Sequence, residues 1–129
     1  MYKYKAIVIK VVDADTVKVD IDLGFDNWIH DKNLRILGIN APETRGDERE
    51  KGLVAKKFVE QLLPVGSIVE IHTEKTGKYG RYLAEVIYTV ENVPHSLSEV
   101  LLELGYAKPY LGSGSDHKFP PEEKYPLDK

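Results

Sequence analysis

Near its start, from residue 2 to residue 23, the chain mostly alternates apolar and polar residues. The alternation is clearest at Val17 and Val19, each of which is followed by a charged residue. A period of two predicts β-strands with one buried face. Asp13 and Asp15 interrupt the pattern, and because aspartate favours tight turns, the stretch is predicted to form a hairpin of two strands.

Two later segments show the 3.6-residue spacing of helices. In the first, apolar residues recur on one face until Pro64 and Gly66 end the pattern. In the second, Ser96 and Glu99 have the spacing of a capping box, and Gly105 follows the last apolar residue. The apolar face predicted for the first helix comprises Val54, Phe58 and Leu62, with Ala55 and Val59 beside them.

The predicted elements follow the order three strands, a helix, two strands and a helix. This order predicts a mainly β fold with helices (α+β), in which a five-stranded barrel of the oligonucleotide-binding type (OB-fold) carries two or three α-helices. We place this domain at residues 1–111, and we expect the glycine-, serine- and proline-rich residues 112–129 to form a flexible C-terminal tail. The other predicted segments are a connection over 24–31, strands over 34–39, 67–73 and 81–90, and an exposed loop over 44–51.

Composition narrows the possible classes of protein. Cysteine is absent from the 129 residues, which excludes disulfides and thiolate chemistry. No apolar run approaches the roughly 18 residues of a membrane span, and the first ten residues lack the core of a signal peptide, so we expect a cytoplasmic or otherwise intracellular protein without membrane contact. The formal net charge of −3 excludes a strongly basic nucleic-acid coat and limits any nucleic-acid contact to a local basic patch.

Polar side chains cluster where the predicted strands end or turn. Carboxylate, amide and carbonyl oxygens suit a hard cation such as calcium, whereas zinc requires histidine or cysteine groupings that this sequence does not contain. Guanidinium groups bind phosphate through two donors and stabilise charge on a pentavalent phosphorus. These residue types therefore suit hydrolysis of a phosphodiester. The cluster consists of Asp13, Asp15, Arg35, Asn40, Glu43, Lys78, Tyr79 and Arg81.

Each of these residues also has a purely structural interpretation. An Asp-x-Asp pair in a hairpin turn is structural more often than it binds a metal. Arg35, among apolar neighbours, would then point outward or pair with Glu43, and residues 78–81 would be an ordinary hairpin. Taken one at a time, the residues do not separate the two interpretations.

Their order along the chain does separate them. Residues 12–19 (VDADTVKV), 34–44 (LRILGINAPET), 78–84 (KYGRYLA) and 104–108 (LGYAK) closely resemble the staphylococcal nuclease (thermonuclease-like, SNase-like) family. The resemblance covers about residues 5–110 in the order and spacing of the family. It implies an SNase-like OB-fold barrel with helices. It also implies a calcium-dependent endonuclease or exonuclease that hydrolyses DNA and RNA to products with 3′-phosphate ends.

The resemblance also assigns roles to individual residues of this chain. It implies calcium (Ca²⁺) ligands at Asp15, Asn40 and the main-chain carbonyl of Ala41, with Thr16 nearby. It implies catalytic roles for three residues: Glu43, which activates or positions water, and Arg35 and Arg81, which bind phosphate. Substrate contacts fall on Lys78, Tyr79 and Tyr110, and Asp13 matches a more distant acidic residue.

Two departures from the family pattern leave an alternative open. Asn40 stands where the family has an aspartate, which removes one carboxylate and is expected to lower calcium affinity. After Tyr110 the chain has Gly112-Ser113-Gly114-Ser115 where the family commonly adds a helix. We therefore expect either a nuclease, weakened by Asn40, whose partner is single-stranded DNA or RNA, or an inactive OB-fold module that binds nucleic acid or protein. The sequence leaves the oligomeric state open, with a monomer as the expectation.

Overall fold

The computed structural model describes residues 2–73 and 82–110. Lys78, Tyr79 and Arg81, to which the sequence assigns substrate and phosphate contacts, lie outside these ranges, as does the predicted tail. The described elements are β1 (Tyr2–Asp13), β2 (Thr16–Gly24), β3 (Asn27–Ile36), β4 (Ile39–Asn40), a 3₁₀ turn (Gly46–Glu48), α1 (Arg49–Leu62), β5 (Ile68–Thr73), β6 (Tyr82–Val90), β7 (Val93–Ser96), α2 (Leu97–Leu104) and β8 (Lys108–Pro109).

Five of the strands close into a ring, which confirms the predicted barrel. The strands pair in the order β3-β2-β1-β5-β6, and β3 then pairs with β6 to close the sheet. The closing pairs are parallel and join Leu34 to Tyr82, Arg35 to Leu83 and Ile36 to Ala84. Closure removes the unpaired strand edges that an open sheet would expose. It also places Arg35 at the seam of the barrel.

The barrel interior is filled by the apolar half of each alternating strand. On β2, Val17, Val19 and Ile21 are buried, whereas Lys18 and Asp20 between them are only partly covered. Each fully buried side chain of this size contributes about 1.5–3 kcal/mol of hydrophobic free energy. The most deeply buried large side chains are Leu34, Ile36, Ile39, Leu63, Ile71, Leu97 and Leu101.

Helix α1 packs against β1 through a face of small residues. Gly52, Ala55 and Val59 are its buried residues, and Phe58 is partly buried against the core. The prediction that Val54 belongs to this face is wrong, because its side chain is 55% exposed. Because Gly52, Ala55 and Val59 form the buried face of the helix, Val54 lies on the side that faces solvent.

Helix α2 begins and ends where its sequence signals predict. The Ser96 hydroxyl accepts the N–H of Glu99 at 3.4 Å, and Gly105 ends the helix with a φ of +84°. Glycine adopts this left-handed conformation at little steric cost, and the conformation lets the chain leave the helix sharply. The helix packs against β6 and β7.

The prediction of a connection over 24–31 is wrong in most of its length. Only Phe25 and Asp26 separate β2 from β3, and both have positive φ values, of 54° and 63°. Two such residues form the tight turn that normally has an Asn-Gly or Asp-Gly sequence. Without that signature, the turn and the first half of β3 could not be recognised from local sequence.

The predicted strand over 34–39 is interrupted in the structure. The chain turns at Gly38, with a φ of +82°, and the short strand β4 then pairs with β8. Strands β7 and β8 were not predicted, because each is too short to show a period. None of the helices in the described ranges has both the length and the apolar character needed to cross a bilayer.

Candidate active site

A cleft of about 630 Å³ opens at the end of the barrel where the β1–β2 turn meets the end of β3. Strand alternation brings Asn33 and Arg35 to the same face of β3, and the chain after β4 adds the opposite wall. The residues around the cleft come from separate segments. They are Val12, Asp13, Asp15, Thr16, Asn33, Arg35, Asn40, Ala41, Pro42, Glu43, Thr44 and Arg45.

Asp15 is the most enclosed charged residue of this cleft. It is 8% exposed and is the only buried polar or charged residue among those that the structure describes. Its Oδ2 accepts the N–H of Ala41 at 2.8 Å, and its Oδ1 accepts the hydroxyl of Thr16 at 3.2 Å. Its main-chain carbonyl accepts the N–H of Ile36 at 2.9 Å. These bonds hold the β1–β2 turn against β3 and β4.

Arg35 bridges two of the predicted calcium ligands. Its Nη1 lies 3.0 Å from Oδ2 of Asp15, and its Nη2 donates to Oδ1 of Asn40 at 3.1 Å. The side chains of Arg35 and Asp15 are 17% and 11% exposed, so the pair is largely shielded from water. The planar fork of the guanidinium allows the two donors to reach two acceptors at once.

Burial raises the pKa of the Asp15 carboxyl above its ordinary value, because the charged form is poorly solvated there. Neighbouring groups lower this pKa and so oppose the effect of burial: the Arg35 guanidinium most strongly, and then the N–H of Ala41. The negative charge of Asp13 acts in the same direction as burial. Asp15 is therefore a carboxylate whose charge depends on a neighbouring cation.

The pairing of β4 with β8 brings Tyr110 beside Arg35. Ile39 pairs with Pro109, and the N–H of Tyr110 donates to the carbonyl of Gly38 at 3.0 Å. The Tyr110 ring then lies 5.8 Å from the guanidinium carbon of Arg35. An aromatic face at this distance attracts the cation and helps to fix its orientation.

The segment that carries Glu43 is held from three sides. The N–H of Glu43 donates to Oε1 of Glu48 at 3.1 Å, and the hydroxyl of Thr44 donates to Oδ1 of Asp13 at 2.9 Å. On the third side, Gly52 of α1 packs directly on the main chain of Glu43. The Glu43 side chain itself is exposed and lines the cleft.

The oxygen donors at this site are of the types that bind calcium, but only one of them carries a negative charge. Asp15 offers a carboxylate, Asn40 an amide oxygen and Ala41 a main-chain carbonyl, and calcium takes all three types. Within residues 2–73 and 82–110, no three histidine, cysteine, aspartate or glutamate side chains lie close enough to hold a metal. A calcium ion at Asp15 and Asn40 would share both oxygens with Arg35. The chemistry therefore fits a weakly held ion.

The structure brings most of the predicted site residues into this one cleft. Asp15, Arg35, Asn40 and Glu43 line it, together with Thr16 and Ala41. Tyr110 lies beside Arg35. Lys78, Tyr79 and Arg81 fall outside the described residues.

Other residues of the site were not predicted from the sequence. Asn33 carried a usable signal, because it stands two residues before Arg35 in a strand. Gly52 carried a weaker signal, since a lone glycine within a helical pattern often marks a close packing contact, whereas Glu48 carried none. Thr44 and Arg45 follow Glu43 directly, but only the fold turns them toward the cleft.

A closed five-stranded barrel with helices packed on it is the architecture of a small OB-fold-like α+β protein, and in this chain Asp15, Arg35 and Glu43 line a cleft at one end of the barrel. The model of the family described as "Staphylococcal nuclease homologue" matches residues 33–125, which is more than half of the chain. The chain belongs to this family.

Two relatives add distant similarity. The uncharacterized protein MJ1439 of Methanocaldococcus jannaschii is 30% identical over 132 aligned residues, covering 85% of this chain and 61% of its own length. A protein of Mycoplasma pneumoniae described as "Uncharacterized lipoprotein MG186 homolog" is 29% identical over 92 residues, covering 63% of this chain and 31% of its own length. The chain thus spans less than two thirds of either relative.

Proposed function

We propose that this chain is a calcium-assisted phosphodiesterase that hydrolyses single-stranded DNA or RNA and leaves 3′-phosphate ends. Family membership supports the class of reaction. One observation on this chain carries the proposal: Arg35 is held between Asp15 and Asn40 at the barrel seam, in the cleft that Glu43 also lines. A cation, a buried carboxylate and an exposed carboxylate are thus available to one phosphate ester.

In this proposal Arg35 binds the phosphate that is cleaved. Its guanidinium has five N–H donors, more than the two that reach Asp15 and Asn40, and it carries a fixed charge, which becomes more valuable as negative charge grows on the phosphorus oxygens. Arg81, which follows Lys78 and Tyr79 in the family motif, supplies a second guanidinium. Tyr110 beside Arg35 offers a ring on which a base stacks without reading its sequence.

Glu43 acts as the general base. Its exposed carboxylate takes a proton from a water molecule, and the water oxygen forms a bond to phosphorus. The bond between phosphorus and O5′ then breaks, O5′ takes up a proton from solvent, and Glu43 returns the proton it accepted to solvent. The products are a 3′-phosphate and a 5′-hydroxyl end. A calcium ion held by Asp15, Asn40, the Ala41 carbonyl and the nearby Thr16 would supply further positive charge at the phosphate.

A binding module without hydrolysis is the second candidate, and the same site supports it. The asparagine at position 40 leaves Asp15 as the one carboxylate in contact with Arg35 among the described residues. If the ion cannot compete with the guanidinium for these oxygens, the cleft would hold a phosphate of nucleic acid, or an acidic partner, without cleaving it.

A nuclease assay separates the two candidates. The chain is incubated with denatured DNA and with an RNA oligonucleotide, in millimolar calcium and in chelator, and the end groups of the products are determined. We expect calcium-dependent cleavage, a loss of about 10²- to 10⁴-fold in Glu43→Gln, and no change in Glu60→Gln, an exposed carboxylate of α1.

The variant Asn40→Asp sharpens the distinction because it restores the second carboxylate. A weakened enzyme would gain both calcium affinity and turnover from this change. A protein that binds calcium more tightly as Asn40→Asp and still releases no nucleotide would be a binding module, and the nuclease proposal would fail.

Location and assembly complete the proposal. We place the protein inside the cell as a monomer. The Mycoplasma pneumoniae relative is described as a lipoprotein, so the competing location is a cell surface. Fractionation of cells that express the full natural gene distinguishes the two locations, and sedimentation gives the mass of the particle.

A further inference from the structure

The hairpin formed by β2 and β3 ends in an exposed apolar tip. We define the tip as residues 20–31. Phe25 at its apex is 99% exposed, and Leu23 and Trp28 on either side are 40% and 39% exposed. Burying a phenylalanine normally gains about 1.5–3 kcal/mol, so a fully exposed ring forgoes that stabilisation. The ring has no packing role in the chain that carries it.

The backbone at the apex is also unfavourable for a bulky side chain. Phe25 has a φ of 54° and Asp26 a φ of 63°. Glycine and asparagine adopt this region readily, whereas phenylalanine does so at a steric cost. Neither the exposure of the ring nor its backbone geometry helps the barrel to fold.

Hydrogen bonds hold the tip in one shape. Oδ1 of Asp22 accepts the N–H of Gly24 at 2.8 Å, and Oδ1 of Asp20 accepts the N–H of Asp31 at 2.9 Å. His30 stacks on Trp28 with ring centroids 6.3 Å apart. A side chain presented from a rigid turn loses little conformational entropy when a partner covers it.

The charge of the tip defines the partner. Four aspartates fall within residues 20–31, which contain no lysine or arginine; they are Asp20, Asp22, Asp26 and Asp31. Negative charge repels nucleic acid and anionic lipid surfaces. It would also repel the same tip of a second copy in a symmetric dimer. A basic surface with an apolar pocket is complementary to it.

The apex of the tip, at Phe25, lies far from the cleft. Strand β2 runs nine residues from Thr16, beside Asp15, to Gly24. At about 3.3 Å per residue, the apex is roughly 25 Å from the cleft. A partner bound at the apex would leave the cleft accessible to substrate.

We propose that the hairpin tip docks a basic segment of another protein, with Phe25 inserted into an apolar pocket of the partner and the four aspartates paired with its lysines or arginines. This surface is independent of the proposed nuclease activity. It would hold the chain at a basic partner while the cleft works on its own substrate.

The test uses the natural fluorescence of Trp28, the single tryptophan of the chain. The full chain is titrated with a synthetic amphipathic peptide of lysine and leucine, and with its counterpart in which glutamate replaces lysine. We expect a saturable blue shift with the lysine peptide that weakens as salt is added, and no response to the glutamate peptide.

Two matched variants locate the binding. Phe25→Asn replaces the ring with a residue that tolerates positive φ, so the variant folds, which circular dichroism verifies. It is expected to bind the lysine peptide about tenfold more weakly, as loss of a central anchor does. Val65→Asn, which changes another exposed apolar residue, at 77% exposure, is expected to bind as the original does.

Several results would overturn the proposal. Equal binding of the lysine peptide by Phe25→Asn and the original chain would show that charge alone holds the peptide. A dimer in sedimentation that Phe25→Asn abolishes would assign the tip to a second copy. A blue shift with phosphatidylserine vesicles but not with the lysine peptide would assign it to a membrane.

Discussion

Gly52 on α1 lies against the main-chain carbonyl of Glu43, so close that a β-carbon at position 52 would overlap it. The same β-carbon would lie 2.8 Å from the main-chain nitrogen of Thr44. The helix therefore positions the segment that carries the proposed general base, and any side chain at position 52 would force the helix and that segment apart.

Gly52→Ala is expected to destabilise the fold by about 1–3 kcal/mol, the usual cost of overpacking. Helix propensity alone would predict a gain of about 1 kcal/mol for this change. Chemical denaturation measures the sign, and we further expect nuclease activity to fall at least tenfold because Glu43 moves. Leu53→Ala, at a half-exposed neighbouring position, is the control. A more stable Gly52→Ala protein with full activity would show that the contact does not position Glu43.

Replacing Arg35 is expected to make stability more dependent on pH. Burial raises the folded pKa of Asp15 above 3.8, so its ionisation costs stability as the pH rises through that folded value. Arg35→Met removes the cation that opposes this rise, and the pKa of Asp15 should increase further.

Urea unfolding of Arg35→Met is measured at pH 4 and pH 8. We expect a larger loss of unfolding free energy, relative to the original chain, at pH 8 than at pH 4, because the cost of ionising Asp15 accumulates above 3.8. The control Arg49→Met, at an exposed position of α1, should lose little at either pH. An equal loss at both pH values would mean that Asp15 does not depend on Arg35 for its charge.

The pKa shift of Asp20 should affect stability in the direction opposite to that of Asp15. The N–H of Asp31 donates to its carboxylate and is the main cause that lowers the pKa of Asp20 below its ordinary value of 3.8, with His30 at 3.2 Å as a further partner. A lowered folded pKa stabilises the fold above pH 3.8, and this stabilisation is lost as the pH falls through the folded value.

Asp20→Asn keeps an acceptor for Asp31 and removes the charge. The original chain should therefore be the more stable protein at pH 6, and the difference should shrink as the pH falls below 3.8. Thermal unfolding of both proteins from pH 6 to pH 3 measures it. The interpretation fails if the difference between the two proteins is independent of pH.

Two leucines of α2 that differ in burial provide a test of the core. Leu101 is fully buried, whereas Leu104, one turn later, is 41% exposed. Leu101→Ala is expected to lower the unfolding free energy by about 2–5 kcal/mol, because it removes buried methyl groups and leaves a cavity. Leu104→Ala should change it by about 0.5 kcal/mol or less. Comparable losses from both variants would mean that α2 docks through a different face.

Local pattern was sufficient wherever a residue acts on its near neighbours along the chain. The alternation around Val17 and Val19 gave strands in the right place, and Ser96 and Gly105 marked both ends of α2. Local pattern failed at Phe25 and Asp26, because their turn lacks the usual Asn-Gly or Asp-Gly sequence. It also failed at Val54, because a different face of the helix packs against the barrel.

By itself, the sequence determined the class of fold, the family and several of the residues that line the cleft, because strand period, helix caps and motif order are properties of short segments. Only the tertiary structure decided how those residues meet. The parallel closure of β3 on β6, the seat of Arg35 between Asp15 and Asn40, and the contact of Gly52 with Glu43 join segments far apart in sequence. Such contacts depend on the register and depth of packing across the whole barrel, which no local pattern encodes.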